Sequence, residues 1–201
     1  MQSIDIIIKK RIFGSGRGSL FTPTTFLDLG GRAAVDKALS RLAAGGTISR
    51  LARGLYDYPK KHPVLGMLHP APQDVAKVFA QRDAVRFQPA GAYAANLLGL
   101  SEQVPAKITF LTNGPSRTVK IGPMEIALRR TTPRNVAAAG RLSGLLIQAF
   151  RHLGRTQLTP ERIAHLRRTL PAVERAKLLR DLRYAPAWMH SAFRELAREE
   201  D

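Results

Sequence analysis

The sequence predicts an α+β fold made of three successive regions. Residues 1–62 alternate helical and extended segments, separated by glycine pairs and a glycine-rich loop. Residues 63–134 contain three runs rich in β-forming residues, KITFLT, RTVKIG and MEIALRR, which we expect to form a small antiparallel meander. Residues 135–201 carry apolar residues at helical spacing. We therefore expect three domains with these boundaries, with the helical C-terminal region packing on the middle domain.

The charge balance is the strongest compositional signal. The 201 residues include 32 Lys+Arg and 15 Asp+Glu, which gives a formal net charge of +17. Such an excess favours a polyanionic partner, most often nucleic acid, although a solubilising basic surface would give the same count. The absence of cysteine excludes a disulfide framework, a thiolate zinc site and a cysteine nucleophile.

The N-terminus indicates a cytoplasmic protein. Its isoleucines, Ile4 to Ile8, precede the basic run from Lys9 to Arg11, which is the reverse of the order in a signal peptide. No apolar run approaches the roughly 20 residues that a membrane-spanning helix needs. We expect no membrane association.

The first 31 residues predict two short helices around an extended piece. A helix over 3–12 should end at FGSGRG, because three glycines in five residues do not hold a helix, and Arg17 in this loop is available for a phosphate. Residues 19–21 should be extended. Thr22 and Pro23 then predict a helix start, with a helix over 23–29 that buries Phe26, Leu27 and Leu29.

A second helix and a hairpin follow. From residue 32 to about 44, Val35, Ala38, Leu39 and Leu42 form one apolar stripe, and a glycine pair ends the helix. The runs TISRL and GLYDY, which flank Arg53 and Gly54, then predict a β-hairpin.

This order of elements is that of a winged helix-turn-helix DNA-binding domain. The face of the second helix opposite Leu39 carries small, hydroxyl and cationic side chains, as entry into a major groove requires, although an ordinary solvated face would look similar. We expect the hairpin arginines to contact phosphate or the minor groove, while Leu55, Tyr56 and Tyr58 anchor the hairpin. The candidate DNA-binding residues are Arg17, Thr24, Thr25, Arg32, Ala33, Lys37, Ser40, Arg41, Arg50 and Arg53.

The segment GSLFTPTTFLDLGGRAAVDKALSRLAAGGTISRLARGLYDYPK resembles the N-terminal domain of AbiEi-like antitoxins of type IV toxin–antitoxin (abortive infection) systems. The matching features are LFTP, the run ALSRLAAGGTISRLARGLY and the exit YDYPK. The run FQPAGAYAANLLGLSEQVPAKITFLTNGPSRTVKIG is similar to the second domain of a branch of the family, so the resemblance covers about residues 14–134.

The resemblance implies partners and a role. The N-terminal domain would repress its own operon by binding repeats in double-stranded promoter DNA. The C-terminal region would counteract a nucleotidyltransferase-like toxin without needing a stable complex. We expect a monomer or weak dimer.

The rest of the chain predicts a linker over 62–72, helices over 74–80 and 91–98, and a helical tail. A tail helix over 139–153 is followed by one that Thr159-Pro160 begins and Leu170-Pro171 ends. A possible second basic surface comprises Arg162, Arg167, Arg168, Arg175, Lys177 and Arg180. The alternative is that these cations lie on solvated faces, partly paired with Glu161, Glu174 and Asp181.

No pattern in the sequence indicates catalysis. The five histidines lack metal-ligand spacing, the carboxylates are scattered, and no G-x-S-x-G run is present. We expect neither an enzyme nor a metal or cofactor. Two alternatives to an antitoxin stay open: a winged-helix regulator whose ligand-sensing or protein-interaction domain has a pocket within 64–134, and an interaction protein that uses the basic tail.

Overall fold

A computed structural model describes residues 3–198, and its helices and small sheets confirm the α+β class. The chain divides into two compact units. The first comprises the described residues up to Ala84 together with Val119–Met124, and the second comprises Val85–Thr118 and the described residues from Glu125 onward. The predicted boundaries at 62/63 and 134/135 lie inside these units. No helix in the 3–198 range is both long and apolar enough to cross a membrane.

The first unit begins with the predicted succession of elements. These are helix α1 (Ile4–Gly14), strand β1 (Leu20–Phe21), a 3-10 helix (Pro23–Phe26) and helix α2 (Arg32–Ala44). The 3-10 turn is shorter than the predicted helix over 23–29. Phe26 is buried as expected, but Leu27 is 44% exposed. Two threonines follow Pro23 and a glycine pair follows Leu29, and both residue types have low helix propensity.

The hairpin predicted after α2 forms from β2 (Ser49–Ala52) and β3 (Leu55–Asp57), and β3 also pairs with β1. The resulting antiparallel sheet has the order β1–β3–β2, with Tyr56 opposite both Phe21 and Arg50. Its core joins the apolar face of α2 to α1 and the sheet. The core residues are Ile8, Ile12, Phe21, Phe26, Val35, Ala38, Leu39, Ile48 and Tyr56.

The stretch 62–72, which we expected to be a linker or boundary, lies inside the first unit and contains a hairpin. Strands β4 (Lys60–His62) and β5 (Gly66–Leu68) form a separate two-stranded antiparallel hairpin. Helix α3 (Pro72–Asp83) then begins at the third proline of the stretch and is longer than predicted. Proline suits the first turn of a helix, since the amide it lacks would have no partner there.

The four-stranded sheet is mixed. It contains β6 (Phe87–Ala90), β7 (Lys107–Thr112), β8 (Arg117–Ile121) and β9 (Met124–Arg130), in the order β6–β7–β9–β8. Strand β7 is antiparallel to β6 but parallel to β9, so the predicted antiparallel meander is wrong in this pairing. Ile126, Ala127 and Leu128 are consecutive and all buried, as in a strand that is buried on both faces.

Helices form the remainder of the second unit. They are α4 (Gly91–Leu97), α5 (Leu142–Leu153), α6 (Pro160–Thr169), α7 (Ala172–Ala176) and α8 (His190–Leu196), with 3-10 turns at Pro133–Val136, Arg155–Gln157, Lys177–Tyr184 and Ala187–Met189. Helix α5 packs on α4 and β6, which joins the tail to the middle of the chain. It begins at 142 rather than 139 because Gly140 takes a left-handed φ of 79° and Arg141 is extended.

Candidate nucleic-acid interface

Helix α2 separates an apolar face from a polar one. Val35, Ala38 and Leu39 are fully buried, whereas Lys37 and Ser40 are exposed. The 3.6-residue period of the helix places these two sets on opposite sides. Ala33 is exposed on the polar side as well, so the predicted reading face is open to solvent.

Two cations that the sequence placed on this face are held by carboxylates. Arg41 binds Asp5 of α1 through two hydrogen bonds, Nε to Oδ2 at 2.7 Å and Nη2 to Oδ1 at 2.6 Å. These bonds hold the pKa of Asp5 below its ordinary value of 3.8. Arg32 binds Asp36 one turn along α2 at 2.8 Å. The second pair is exposed and therefore weak, at about 0.3–0.5 kcal/mol.

The β2–β3 hairpin presents Arg50 and Arg53 to solvent, while the apolar residues of β3 are buried. Gly54 has a φ of 71°, which glycine adopts without strain, and it closes the two-residue turn. Leu55 and Tyr56 are buried, and the Tyr56 ring stacks on Phe21 with centroids 6.2 Å apart. The tyrosine thus anchors the hairpin to the core, and its arginines face outward.

Arg17 is fixed against the end of β3. Its Nη1 donates to the Pro59 carbonyl at 3.0 Å, and its guanidinium carbon lies 4.8 Å from the centre of the Tyr58 ring. The ring of Phe13 stacks on the same Tyr58 ring, with the two centroids 5.1 Å apart. The glycine-rich loop is therefore docked beside the hairpin, with its cation at the surface.

Thr24 and Thr25 are engaged within the 3-10 turn. The Thr25 hydroxyl accepts a hydrogen bond from the Thr22 amide at 3.2 Å, and the Thr22 and Thr24 hydroxyl oxygens lie 2.6 Å apart. Both side chains stabilise the start of the turn, although both residues are exposed.

Ion pairs hold part of the positive charge of the first unit. Four of its carboxylates are bound by arginines, in the pairs Arg11–Asp28, Arg32–Asp36, Arg41–Asp5 and Arg82–Asp83. A fifth, Asp57, is buried. Within residues 3–198, no carboxylate pairs with Lys37 on α2 or with Arg50 and Arg53 on the β2–β3 hairpin. These cations can bind an anionic ligand without breaking an ion pair.

Comparison with protein-family models matches residues 7–178 to a family of unknown function, DUF6088. The chain belongs to the DUF6088 family. The match extends over most of both units, so the family is defined by more than the N-terminal elements. No curated protein matches the sequence significantly.

The DUF6088 chain has one buried carboxylate in this region that sequence reasoning missed. Asp57 is 4% exposed at the end of β3, opposite Leu20 and Ser49 on the neighbouring strands. Burial raises the pKa of Asp57, while hydrogen bonds from its own backbone and from Ser49, and the charge of His69, offset part of that rise. Its position in the run YDY, where alternation would place it outward beside two inward tyrosines, gave no signal of burial.

The possible second basic surface does not form a single group in the DUF6088 chain. Arg175 is 6% exposed and donates to the backbone carbonyls of Leu196 and Arg198 at 3.1 and 3.4 Å, so the expectation of a surface cation is wrong there. Lys177 pairs with Glu174, and Arg162 bonds to Gln157. Arg168 and Arg180 are exposed and Arg167 is half-buried.

A cavity of about 300 Å³ lies beside the start of α5. Its lining includes Asp181, which accepts hydrogen bonds from Arg141 at 2.7 Å and from the Ser143 hydroxyl at 2.5 Å. The pocket that a ligand sensor would need was expected within 64–134, whereas this cavity is lined by residues between Gly140 and Asp181.

Proposed function

We propose that this protein binds duplex DNA as a winged helix-turn-helix, with α2 in the major groove and the β2–β3 hairpin as the wing. The succession α1, β1, 3-10 turn, α2, β2, β3 and the sheet order β1–β3–β2 support this assignment. The 3-10 turn Pro23–Phe26 would take the place of the first helix of the helix-turn-helix pair.

The observation that carries the proposal is where the unpaired cations lie. Lys37 is on the exposed face of α2, and Arg50 and Arg53 are on the hairpin that follows it. A ligand with regularly spaced negative charges would be bound by both elements at once, and a helix face with small neighbours such as Ala33 and Ser40 fits a major groove.

Arg32 and Arg41 take secondary parts in this proposal. The exposed Arg32–Asp36 pair is weak enough for a phosphate to replace the carboxylate. Arg41 instead holds α1 against α2 through Asp5, so we assign it to the support of the reading helix.

We further propose that DNA binding serves autorepression in a type IV toxin–antitoxin system, in which the protein counteracts a nucleotidyltransferase-like toxin. The resemblance over residues 14–134 supports this role. The protein would occupy repeats in its own promoter, and the toxin gene would lie immediately downstream.

The first test is binding of the full-length protein to a fluorescent duplex of its own promoter, compared with a random duplex of equal length. We expect tighter binding to the promoter, and binding to both that weakens steeply with salt. A Lys77→Ala variant is the matched control, since Lys77 is an exposed cation on α3, outside the proposed face. Equal affinity for both duplexes would contradict a sequence-specific repressor.

The antitoxin role is tested separately, by co-expression with the protein encoded by the adjacent gene. We expect the wild-type chain to rescue growth and to repress a promoter reporter. The double variant Arg50→Ala/Arg53→Ala should lose repression and keep rescue, because only the DNA-binding face is altered. If the wild-type chain binds the promoter but does not rescue growth, the proposed repressor role stands and the proposed antitoxin role is wrong.

A further inference from the structure

The β4–β5 hairpin is the most exposed ordered element of the first unit. All three residues of β4 are exposed, as are Gly66 and Met67 of β5. The strands pair in register, Lys61 opposite Met67 and His62 opposite Gly66, and they form a sheet of their own. A two-stranded ribbon of this kind has little core to hold it, so its conformation depends on the turn.

The turn is built to be rigid. Proline at position 63 fixes its own backbone angle. The Nδ1 atom of His62 accepts hydrogen bonds from the amides of Val64 and Leu65, both at 3.2 Å. Gly66 takes a left-handed φ of 72° and returns the chain to β5. The tip is therefore preorganised, which reduces the entropy lost when a partner binds it.

The tip carries large apolar side chains in water. Val64 is 85% exposed, Leu65 71% and Met67 46%. A rigid loop that holds apolar groups away from the core costs stability, and such exposure is typical of an interaction site.

The stem of the hairpin is basic and continues from the proposed wing. Lys60 and Lys61 are exposed, and no carboxylate pairs with them within the described part of the chain. Only Tyr58 and Pro59 separate β3 from β4. The docked loop that carries Arg17 lies alongside, because a Cβ added at Gly18 would be 3.7 Å from Cδ of Lys60.

We propose that the β4–β5 hairpin inserts Val64 and Leu65 between base pairs from the minor groove, and that it bends the bound DNA. This inference rests on the proposed function. Apolar wedges of this kind unstack a base step and kink the duplex toward the major groove, by roughly 20–90°. Lys60 and Lys61 neutralise phosphates on either side of the groove.

The dimensions of the hairpin fit this partner. Three residues at about 3.3 Å each place the tip roughly 10 Å from the start of β4, and a minor groove is about 7.5 Å deep. The two strands are about 4.8 Å apart before side chains are added, against a groove about 6 Å wide, so entry has to widen the groove. Kinking at a flexible base step supplies that widening.

The test measures DNA bending by energy transfer between dyes at the two ends of a promoter duplex, saturated with full-length protein. We expect the wild-type complex to be bent. The variant V64S/L65S should lose more than half of the bend at saturation and about 3- to 10-fold in affinity, since wedge contacts are lost while cationic contacts stay. The control V104S alters a valine that is 75% exposed in the second unit, and it should bend DNA as the wild type does. Circular dichroism confirms that each variant is folded.

A second variant separates the wedge from the stem. K60A/K61A should lower the slope of log affinity against log salt by about 2, because two phosphate contacts are removed, and should keep the bend at saturation. The insertion is overturned if V64S/L65S bends DNA as much as the wild type, or if the wild-type complex is straight; the proposed function survives either result. If the wild type binds no duplex, both fail.

A membrane surface is the other partner for a basic ribbon with an apolar tip, and the same variants test it. Vesicles of phosphatidylserine and phosphatidylcholine are sedimented with wild-type protein and with V64S/L65S. We expect no difference that depends on the tip. If V64S/L65S alone abolishes sedimentation while DNA bending is unchanged, the tip is a membrane element and minor-groove insertion is wrong.

Discussion

The β2–β3 hairpin and the segment from α6 through the 3-10 turn after α7 are both rich in arginine, and the fold uses their cations in opposite ways. Arg50 and Arg53 project into solvent from a hairpin whose Leu55 and Tyr56 are buried. In the C-terminal segment Arg175 is buried and bonded to backbone carbonyls, and Lys177 pairs with a glutamate on the preceding turn. A high cation count in the sequence therefore indicates either a binding surface or internal support, and the partners of each cation decide which.

The largest effect that this comparison predicts is on stability in the C-terminal segment. Replacing Arg175 by alanine removes charged hydrogen bonds to Leu196 and Arg198, and it leaves the carbonyl of the buried Leu196 without this donor. We expect the free energy of unfolding in urea to fall by roughly 3 kcal/mol. Arg180→Ala, at an exposed cation in the same segment, should change it by less than about 0.5 kcal/mol. Equal effects in the two variants would mean that burial does not distinguish these arginines.

On α2, the double variant Lys37→Ala/Ser40→Ala should reduce the preference for promoter over random DNA. The expected loss is about 1–3 kcal/mol per base contact. Competition binding with both duplexes measures it. An unchanged preference would remove α2 as the reading helix.

On the wing, Arg50→Ala and Arg53→Ala should weaken binding to promoter and random DNA alike. Each should lower the slope of log affinity against log salt by about 1, because each arginine neutralises one phosphate. Titrations at four or more salt concentrations give the slope. If the slope is the same in the variants as in the wild type, Arg50 and Arg53 do not contact phosphate. They would then be ordinary surface residues, and their exposure, unlike the burial of Arg175, would not indicate a binding surface.

The smallest effect concerns Asp57, the buried carboxylate beside the wing. Because burial raises its pKa above the ordinary 3.8, the folded state binds the proton more tightly than the unfolded state does. This group therefore lowers stability as pH rises above about 3.8, toward and through the folded-state pKa. Asp57→Asn should melt higher than the wild type at pH 7, and the difference should shrink toward pH 4.

The carboxylates bound by arginine change the stability of the fold with pH in the direction opposite to Asp57, and they serve as the reference for that measurement. The pKa of Asp5 is lowered by Arg41 and that of Asp28 by Arg11, so both stabilise the fold above about 3.8 and lose that contribution in acid. The wild type and Asp57→Asn both contain these ion pairs, so the difference between their melting temperatures isolates the effect of Asp57. A difference that grows toward acid pH would contradict the assignment.

Much of the fold follows from local sequence. The apolar stripe Val35, Ala38, Leu39 sets the buried face of α2, and glycines at both ends set its limits at Arg32 and Ala44. Thr159-Pro160 begins α6 where the sequence predicts. Helical periodicity, capping and glycine conformations depend on residues that are close together in the chain, so they can be predicted from the sequence.

The tertiary structure decided the features that depend on distant residues. Arg41 meets Asp5 across 36 positions, β9 pairs in parallel with β7 rather than continuing a meander, and the carbonyls of Leu196 and Arg198 turn Arg175 inward. Alternation along YDY would have exposed Asp57, but all three residues of β3 are buried, as in a strand that is covered on both faces. The type of a residue determines which bonds its side chain can make, but only the folded chain determines which partners lie within bonding distance.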